Sequence, residues 1–303
     1  MLIDMVFTYV NGKDIDYINK KYEMFNIINN TNIISFNPSI RHTNINEILY
    51  SVQSVLKFIP WINKIYIITD NQSIHNLIQN SKIIFINHTD IIPSSYLPTY
   101  NSDTIESFIH NIPNLSEIFL YNNDDVFHLD FINETDIYTT SSDCEYETNK
   151  ISLHINSKFN LNIIRNKNTE YSKRICLTAD ILLKKYQDIV LINNHHTKIL
   201  RKSTLKYIET EFSDLLHQMR SSRFRSDYYI QYLLLALNID HYTHNNIISN
   251  DFTNIIELHL GSKTCTDNFF NQFKDRQLKF VCFNSMDQSY KTQFKAFMDL
   301  IFN

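Results

Sequence analysis

The sequence predicts an α/β fold with a mainly parallel, doubly wound sheet, and two patterns carry that expectation. Short, almost uninterrupted apolar runs, "KIYIIT" (64–69) and "KIIFIN" (82–87), suit strands buried on both faces. They alternate with stretches of helical spacing, as a parallel sheet with crossover helices requires.

The elements follow in order. Residues 2–10 form a β-branched and aromatic run that stops at the turn signal "NGKD". Residues 44–58 place Ile45, Ile48, Leu49, Val52, Val55 and Leu56 at helical spacing, with Pro60 beyond as a stop. The strands at 64–69 and 82–87 enclose another helical stretch. A helix over 101–111 precedes the fourth strand, "EIFLYN" (117–122). From about 175 to 240 the pattern is helical, notably at 202–218 and 226–238. "LKFVCFN" (278–284) reads as a late strand returning to the sheet, and 287–302 as an amphipathic helix. No repeat or linker marks a boundary. The expectation is one catalytic domain over 1–303, with an α/β core (about 1–155 and 250–303) and a mainly helical section (about 156–249).

Bulk properties exclude several classes. A net charge of −4 gives no reason to expect nucleic acid or an anionic membrane as partner. Only Gly12 and Gly261 occur, so neither a G-x-G-x-x-G fingerprint nor a P-loop can exist. The four cysteines, Cys144, Cys176, Cys265 and Cys282, form no C-x-x-C pair, so a disulfide framework or zinc ribbon is not expected. With no basic leader and no apolar stretch near the ~20 residues of a membrane span, the expectation is a soluble, cytoplasmic protein.

In open α/β sheets, ligands bind outside the carboxyl ends of the strands. The polar tails there are Asn11-Gly12-Lys13-Asp14, Asp70-Asn71, Asn87-His88-Thr89-Asp90 and Asn122-Asn123-Asp124-Asp125, and the late strand ends in Asn284. These should gather on one edge. Asp124 and Asp125 are held between a buried strand and apolar Val126 and Phe127. Adjacent carboxylates fixed in this way call for a counter-charge, and Mg²⁺ or Mn²⁺ is the economical one. Such an ion binds substrate phosphates through one or two carboxylates, which suits kinase, nuclease and sugar transferase alike. "NNHHTKILRKS" (193–203) adds His195 and His196, and "RSSRFRSD" (220–227) adds Arg220, Arg223 and Arg225. Arginine can neutralise a phosphate with its planar fork, and a histidine titrating near neutrality can accept a hydroxyl proton.

These residues resemble the Stealth family of sugar-phosphate transferases, which includes bacterial capsule polymerases and the Golgi GlcNAc-1-phosphate transferase. Four blocks carry the resemblance across most of the chain. "IDMVFTYVNGKD" (3–14) is similar to the first, with Tyr9 in place of tryptophan. "NEILYSVQSVLKFIPWINKIYIITDNQ" (46–72) and "LPTYNSDTIESFIHNIPNLSEIFLYNNDDVF" (97–127) resemble the second. "HHTKILRKSTLKYIETEFSDLLHQMRSSRFRS" (195–226) resembles the third, and "LKFVCFNS" (278–285) the fourth.

The resemblance implies a Rossmann-like core of the nucleotide-sugar-transferase type, with the third-block helices over the strand ends. It implies transfer of a hexose-1-phosphate from a UDP-linked sugar such as UDP-GlcNAc to a sugar hydroxyl of a glycan acceptor, releasing nucleoside monophosphate. Asn11, Gly12 and Asp14 should face the donor. Asp124 and Asp125, assisted by Asn284, should hold the metal, with Asp125 also catalytic. Arg225 should neutralise the transferring phosphate, Arg223 should assist donor binding, and His195 is the candidate base. Asn101, Ser102, Glu106 and His110 should shape the pocket, the last three from one helix face at i, i+4 spacing.

The chain also departs from the family pattern. Thr43 and Leu49 stand where arginines are usual, Asn44 replaces an aspartate, Thr197 stands where proline is common, and Ser285 replaces an aspartate. Losing two cations near a diphosphate weakens donor binding unless Arg41, Lys13 or Lys57 substitutes. Two other readings of the same residues are a conventional glycosyltransferase releasing UDP and an inactive relative that only binds glycans or nucleotide sugars.

Overall fold

The computed structural model of the chain describes residues 1–30, 46–72, 79–141, 148–154, 161–192, 196–249, 256–257, 279–283 and 291–302. Strand β1 (Asp4–Thr8) is followed by α1 (Ile15–Asn29), which Asp14 caps by accepting from Tyr17 N at 3.0 Å. Then come α2 (Glu47–Phe58), β2 (Ile65–Thr69), β3 (Ile83–Asn87), the short α3 (His88–Ile91), α4 (Ser102–Ser107) and β4 (Ile118–Asn123).

After β4 the chain forms β5 (Val126–His128), α5 (Glu134–Ile137), β6 (Tyr138–Ser141) and β7 (Thr148–His154). Helices α6 (Leu161–Arg165) and α7 (Glu170–Tyr186) lead to β8 (Lys198–Arg201), α8 (Lys202–Glu211), α9 (Ser213–Ser221) and α10 (Tyr232–His244). Strands β9 (Ile247–Ser249), β10 (Ile256–Glu257) and β11 (Phe280–Cys282) precede the helix Lys291–Phe302.

The main sheet has the order β3-β2-β1-β4-β8. Its first four strands are parallel, and β8 runs antiparallel to β4. Alternation along the strands divides the core between two faces. Val6, Tyr66, Ile68, Phe119 and Tyr121 pack with apolar side chains of α4 and α8 to α10. Met5, Phe7, Ile65, Ile67, Ile118 and Leu120 pack with Ile48, Val52 and Val55 of α2. Each fully buried side chain of this kind contributes about 1.5–3 kcal/mol. The expected α/β class is therefore what the chain adopts.

Three elements differ from the sequence reading. The late strand does not return to the main sheet, because β8 already covers the free edge of β4. Instead β11 joins β10 and β5 in a separate three-stranded sheet. The helix expected over 101–111 ends at Ser107 and gives way to a 3₁₀ turn, Ile109–Asn111. Ser107 O, which a continuing helix would use, accepts from Arg220 Nη2 at 3.2 Å, while Asn111 N turns to Phe108 O. The stretch read as helical up to 240 also contains β8, and β6-β7-β9 form a further small sheet.

Scarce glycine leaves its mark on the backbone. The positive-φ residues among those described are Asn30, Asn46, Asn71, Asn114, Gln187 and Asn245. Asparagine tolerates the left-handed region better than most side chains, so it ends α1 and α10 where glycine is usual. No helix among the described residues is long and apolar enough to cross a membrane.

Candidate active site

Strand order locates the crevice. Strands β2 and β3 lie to one side of β1 and β4 to the other, so the topology reverses between β1 and β4. Ligand sites of doubly wound sheets open at such a reversal, beyond the carboxyl ends of the strands. A cavity of about 350 Å³ opens there, lined by Thr8, Tyr9 and Val10 after β1 and by Asn123, Asp124 and Asp125 after β4. Ser102, Asp103 and Glu106 of α4 line it as well, with Tyr17 and Lys21 of α1, Lys198 of β8 and Arg225.

Asp124 and Asp125 occupy the turn where the chain leaves the main sheet for β5. Three contacts fix that turn. Phe283 N donates to Asp125 O at 3.0 Å, Ser51 Oγ donates to Val126 O, and His128 N donates to Ser54 Oγ at 3.0 Å. The backbone of the turn is thus held by the residue that follows β11 and by two serines of α2. Burial pushes the Asp124 carboxyl well above the usual range, and the Asp125 and Glu47 charges push it further. Asp4, at the opposite end of the same sheet, shows what a structural carboxylate looks like. It accepts from Asn63 Nδ2, Lys64 N and Ser116 N at 2.8–3.1 Å.

Glu106 is 6% exposed and accepts from the Tyr121 hydroxyl at 3.0 Å. The same hydroxyl lies 2.9 Å from Asn123 Oδ1 and 2.8 Å from Thr8 Oγ1. One phenolic proton must serve two acceptors, so a protonated Glu106 that donates in return fits this cluster better than a carboxylate. Burial raises its pKa to about 8, with Asp103 adding to the shift and Arg225, Tyr121 and Lys198 opposing it.

Arg225 reaches the cavity from the loop between α9 and α10. Phe224 stacks on Tyr100 with centroids 5.3 Å apart and meets Phe25 edge-on, which seats the loop against α1. The guanidinium contacts Ser102 Oγ and lies 3.9 Å from Asp103. Asp103 is already engaged by buried Arg174, whose guanidinium also donates to Ile230 O at 3.0 Å.

The cavity therefore brings together Asp124, Asp125, Ser102, Glu106 and Arg225. Other expected site residues lie elsewhere. Asn101 is buried behind the wall, capping α4 through Asp103 N. His110 leaves the face of Ser102 and Glu106 because the helix ends first, and it is not among the lining residues. Burial brings its pKa down to about 4.

Asn11 and Asp14 shape the turn after β1: Asn11 exchanges two hydrogen bonds with Gln72, and Asp14 caps α1. Gly12 is buried in that turn without a positive φ. None of these three is among the lining residues. Arg223 donates to Ser95 O at 3.1 Å, tying its loop to the 94–100 segment rather than lining the cavity. Arg220 is buried in an ion pair with Glu209. His195 and Asn284 lie outside the described residues, as do Arg41, Thr43, Asn44 and Ser285. Sequence reading passed over Tyr17, Lys21, Tyr100, Arg174 and Lys198, although Asp14 ahead of "IDYINKKY" is a legible helix start.

Family models decide the affiliation. Residues 41–146 match Stealth protein CR2, conserved region 2, and residues 194–237 match Stealth protein CR3, conserved region 3. The chain carries two conserved regions of the Stealth family. These Stealth regions contain both aspartates of the turn, Ser102, Glu106, Lys198 and Arg225.

Over 126 residues the chain is 48% identical to the capsular polysaccharide phosphotransferase fcs1 of Haemophilus influenzae, covering 41% of this chain and 34% of that one. A similar match, 44% over 127 residues, links it to the phosphotransferase LcbA of Neisseria meningitidis, again covering 34% of that protein. Matches of this kind span about a third of the length of those relatives. The capsular polysaccharide phosphotransferase WcwK of Streptococcus pneumoniae aligns more fully, at 28% identity over 319 residues, 93% of this chain and 89% of that one. Among solved structures, the galactosyltransferase LgtC is 10% identical with a TM-score of 0.49, covering 99% of this chain and 95% of that one. The fold assignment rests on the strand order above.

Proposed function

We propose that this protein transfers a sugar-1-phosphate from a nucleotide sugar, UDP-linked in the simplest case, to a hydroxyl of a glycan acceptor in capsule synthesis. The single observation that carries the reading is the convergence of the Asp124-Asp125 turn with Arg225 and two lysines around one cavity at the sheet reversal. A solvated turn would not be braced by hydrogen bonds from both α2 and the end of β11.

The donor set fits a hard divalent cation, Mg²⁺ or Mn²⁺. Asp124 and Asp125 offer oxygen ligands, and the raised proton affinity of Asp124 marks a carboxyl that lacks adequate positive charge. Among the described residues no third acidic, histidine or cysteine side chain completes a cage. That suits an ion which also takes water and substrate phosphate as ligands. When bound, it would supply charge to stabilise the diphosphate.

The chain's own residues do the rest. Arg225 neutralises the phosphoryl oxygens as charge builds on them. Glu106, whose carboxyl burial favours in its neutral form, adds little repulsion toward the phosphates. The acceptor oxygen bonds to the phosphorus nearer the sugar, and the bond from that phosphorus to the bridging oxygen breaks. The nucleoside monophosphate leaves with that oxygen, and the acceptor proton passes to a base, for which His195 is the candidate.

Product analysis tests this reading. Incubation with Mg²⁺, a panel of UDP-sugars and capsule oligosaccharides should release UMP and leave a phosphodiester in the glycan. Release of UDP would make the protein a conventional glycosyltransferase, and no turnover with any pairing would make it a binder.

A further inference from the structure

The polar tail Asn87-His88-Thr89-Asp90 has no part in the reaction proposed above, yet its place is fixed. Thr69 stands opposite Asn87 in the parallel β2–β3 ladder, so Asp70 and His88 follow side by side beyond the strand ends. Asn87 N donates to Asp90 Oδ2 at 2.8 Å, which closes the turn that carries His88. We infer that His88, oriented by Asp70, seats the uracil of the donor and reads its imide N–H. This inference rests on the nucleotide-sugar reading above.

Strand order separates His88 from the reacting phosphate. His88 lines the same cavity as Asp124 and Asp125. The aspartate turn follows β4, whereas His88 follows β3, three places away in the order β3-β2-β1-β4. At ~4.8 Å per strand spacing the gap is about 14 Å. A side chain so far from the aspartates does not meet the transferring phosphorus. With the diphosphate at the aspartate turn, the base is the part of the nucleotide that reaches furthest from it.

The corner suits a planar, polar ring. Tyr17 and Tyr100 line the cavity with ring centroids 5.6 Å apart at 68°. Aromatic faces of this kind stack on nucleobases. Burial raises the pKa of both phenols, and the Asp70 charge is near enough to raise it further, so both tyrosines share this corner with Asp70 and His88. The Tyr100 hydroxyl is buried without a hydrogen-bond partner, and so is Nδ1 of His88, a side chain only 3% exposed. Unpaired polar atoms in one cavity wall mark a place that a ligand completes. His88 Nδ1 lies 3.9 Å from Asp70 Oδ1. The carboxylate draws the ring proton to Nδ1, which leaves Nε2 as the acceptor. Burial lowers the His88 pKa against the pull of Asp70, so the ring is neutral at pH 7. Uracil brings an N–H to such an acceptor, where cytosine brings a bare ring nitrogen. The Tyr100 hydroxyl has a proton to give to a uracil carbonyl.

The test is titration calorimetry of the full chain with UDP, CDP and inorganic pyrophosphate, each with Mg²⁺. The native protein should bind UDP about tenfold tighter than CDP, the difference expected of one hydrogen bond. His88→Phe keeps a ring and should bring UDP down to the affinity of CDP, with pyrophosphate binding unchanged. Asp70→Asn should narrow the UDP-to-CDP ratio likewise, because an amide no longer holds the proton on Nδ1. A merely structural role would weaken both nucleotides and leave their ratio alone. The Asp70 side chain is 29% exposed, so this variant keeps the test decisive if the phenylalanine variant does not fold. Equal native affinity for UDP and CDP, or a native ratio in either folded variant, would overturn the inference and leave the proposed function standing. Failure of the native protein to bind any of the three ligands would overturn the nucleotide-sugar reading itself.

Discussion

His128 Nε2 lies 2.9 Å from Thr197 Oγ1 across the buried junction between β5 and the start of β8. The proton positions follow from the neighbours. Ser54 Oγ gives its proton to Ser51 O at 2.7 Å, so it accepts from His128 Nδ1 at 3.5 Å. Nδ1 therefore carries hydrogen, and Nε2 accepts from Thr197. Burial pushes the His128 pKa down to about 3, which keeps the ring neutral in this role. Thr197, where the family often has proline, thus ties the third block to the aspartate turn.

Thr197→Val should destabilise the protein by about 1–3 kcal/mol, because it leaves a buried ring nitrogen without its donor. Thr197→Ser should recover most of that loss. Urea unfolding of both variants checks the pair, and equal stability of valine and serine would contradict it.

Two arginines of "RSSRFR", Arg220 and Arg225, should separate by phenotype. Arg220 is buried, paired with Glu209, and sits 3.9 Å over the Phe108 ring. Arg220→Ala should cost about 3–5 kcal/mol, as expected for breaking a buried pair. The Arg225 side chain is 40% exposed, so Arg225→Ala should change stability by less than about 1 kcal/mol. Its turnover should fall about a thousandfold, as for other arginines that neutralise a transferring phosphoryl group. Thermal unfolding and steady-state rates measured on both variants would reveal a reversal.

Glu106 gives the ligand-free protein a pH dependence of stability. Its carboxyl titrates at about 8 in the folded state and near 4.5 when unfolded. Between those values the folded state holds the extra proton, so stability is full below pH 4.5 and is lost as pH rises towards 8. The slope from this one group reaches about 1.4 kcal/mol per pH unit. Glu106→Gln should flatten that part of the profile in denaturant titrations at a series of pH values. An unchanged slope would contradict the assignment.

Asn245 ends α10 with φ of 48°. Asn245→Ala should cost about 1 kcal/mol and Asn245→Gly should be neutral or stabilising, because only glycine escapes the Cβ clash there. Melting temperatures of the two variants give the answer.

The sheet was readable because its strands are buried on both faces, and continuous apolar runs such as "KIYIIT" have few other uses. The aspartate turn was readable for the same reason, as polarity breaking out abruptly after such a run. β8 was not, because "KILR" is four residues long and its strand state depends on pairing with β4. The separation of His110 from Glu106 was equally hidden. It depends on Arg220, more than a hundred residues away, taking the carbonyl that a longer helix would have used. Lys198 escaped notice because its direction is set by register with Tyr121, which no local spacing encodes.

The most direct measurement is electron paramagnetic resonance of Mn²⁺ with the native protein and UDP, compared with Asp124→Asn and Asp125→Ala. The account predicts a protein–Mn²⁺–UDP complex that either substitution abolishes while the unfolding temperature is preserved or raised. A complex of unaltered affinity in both folded variants would contradict it.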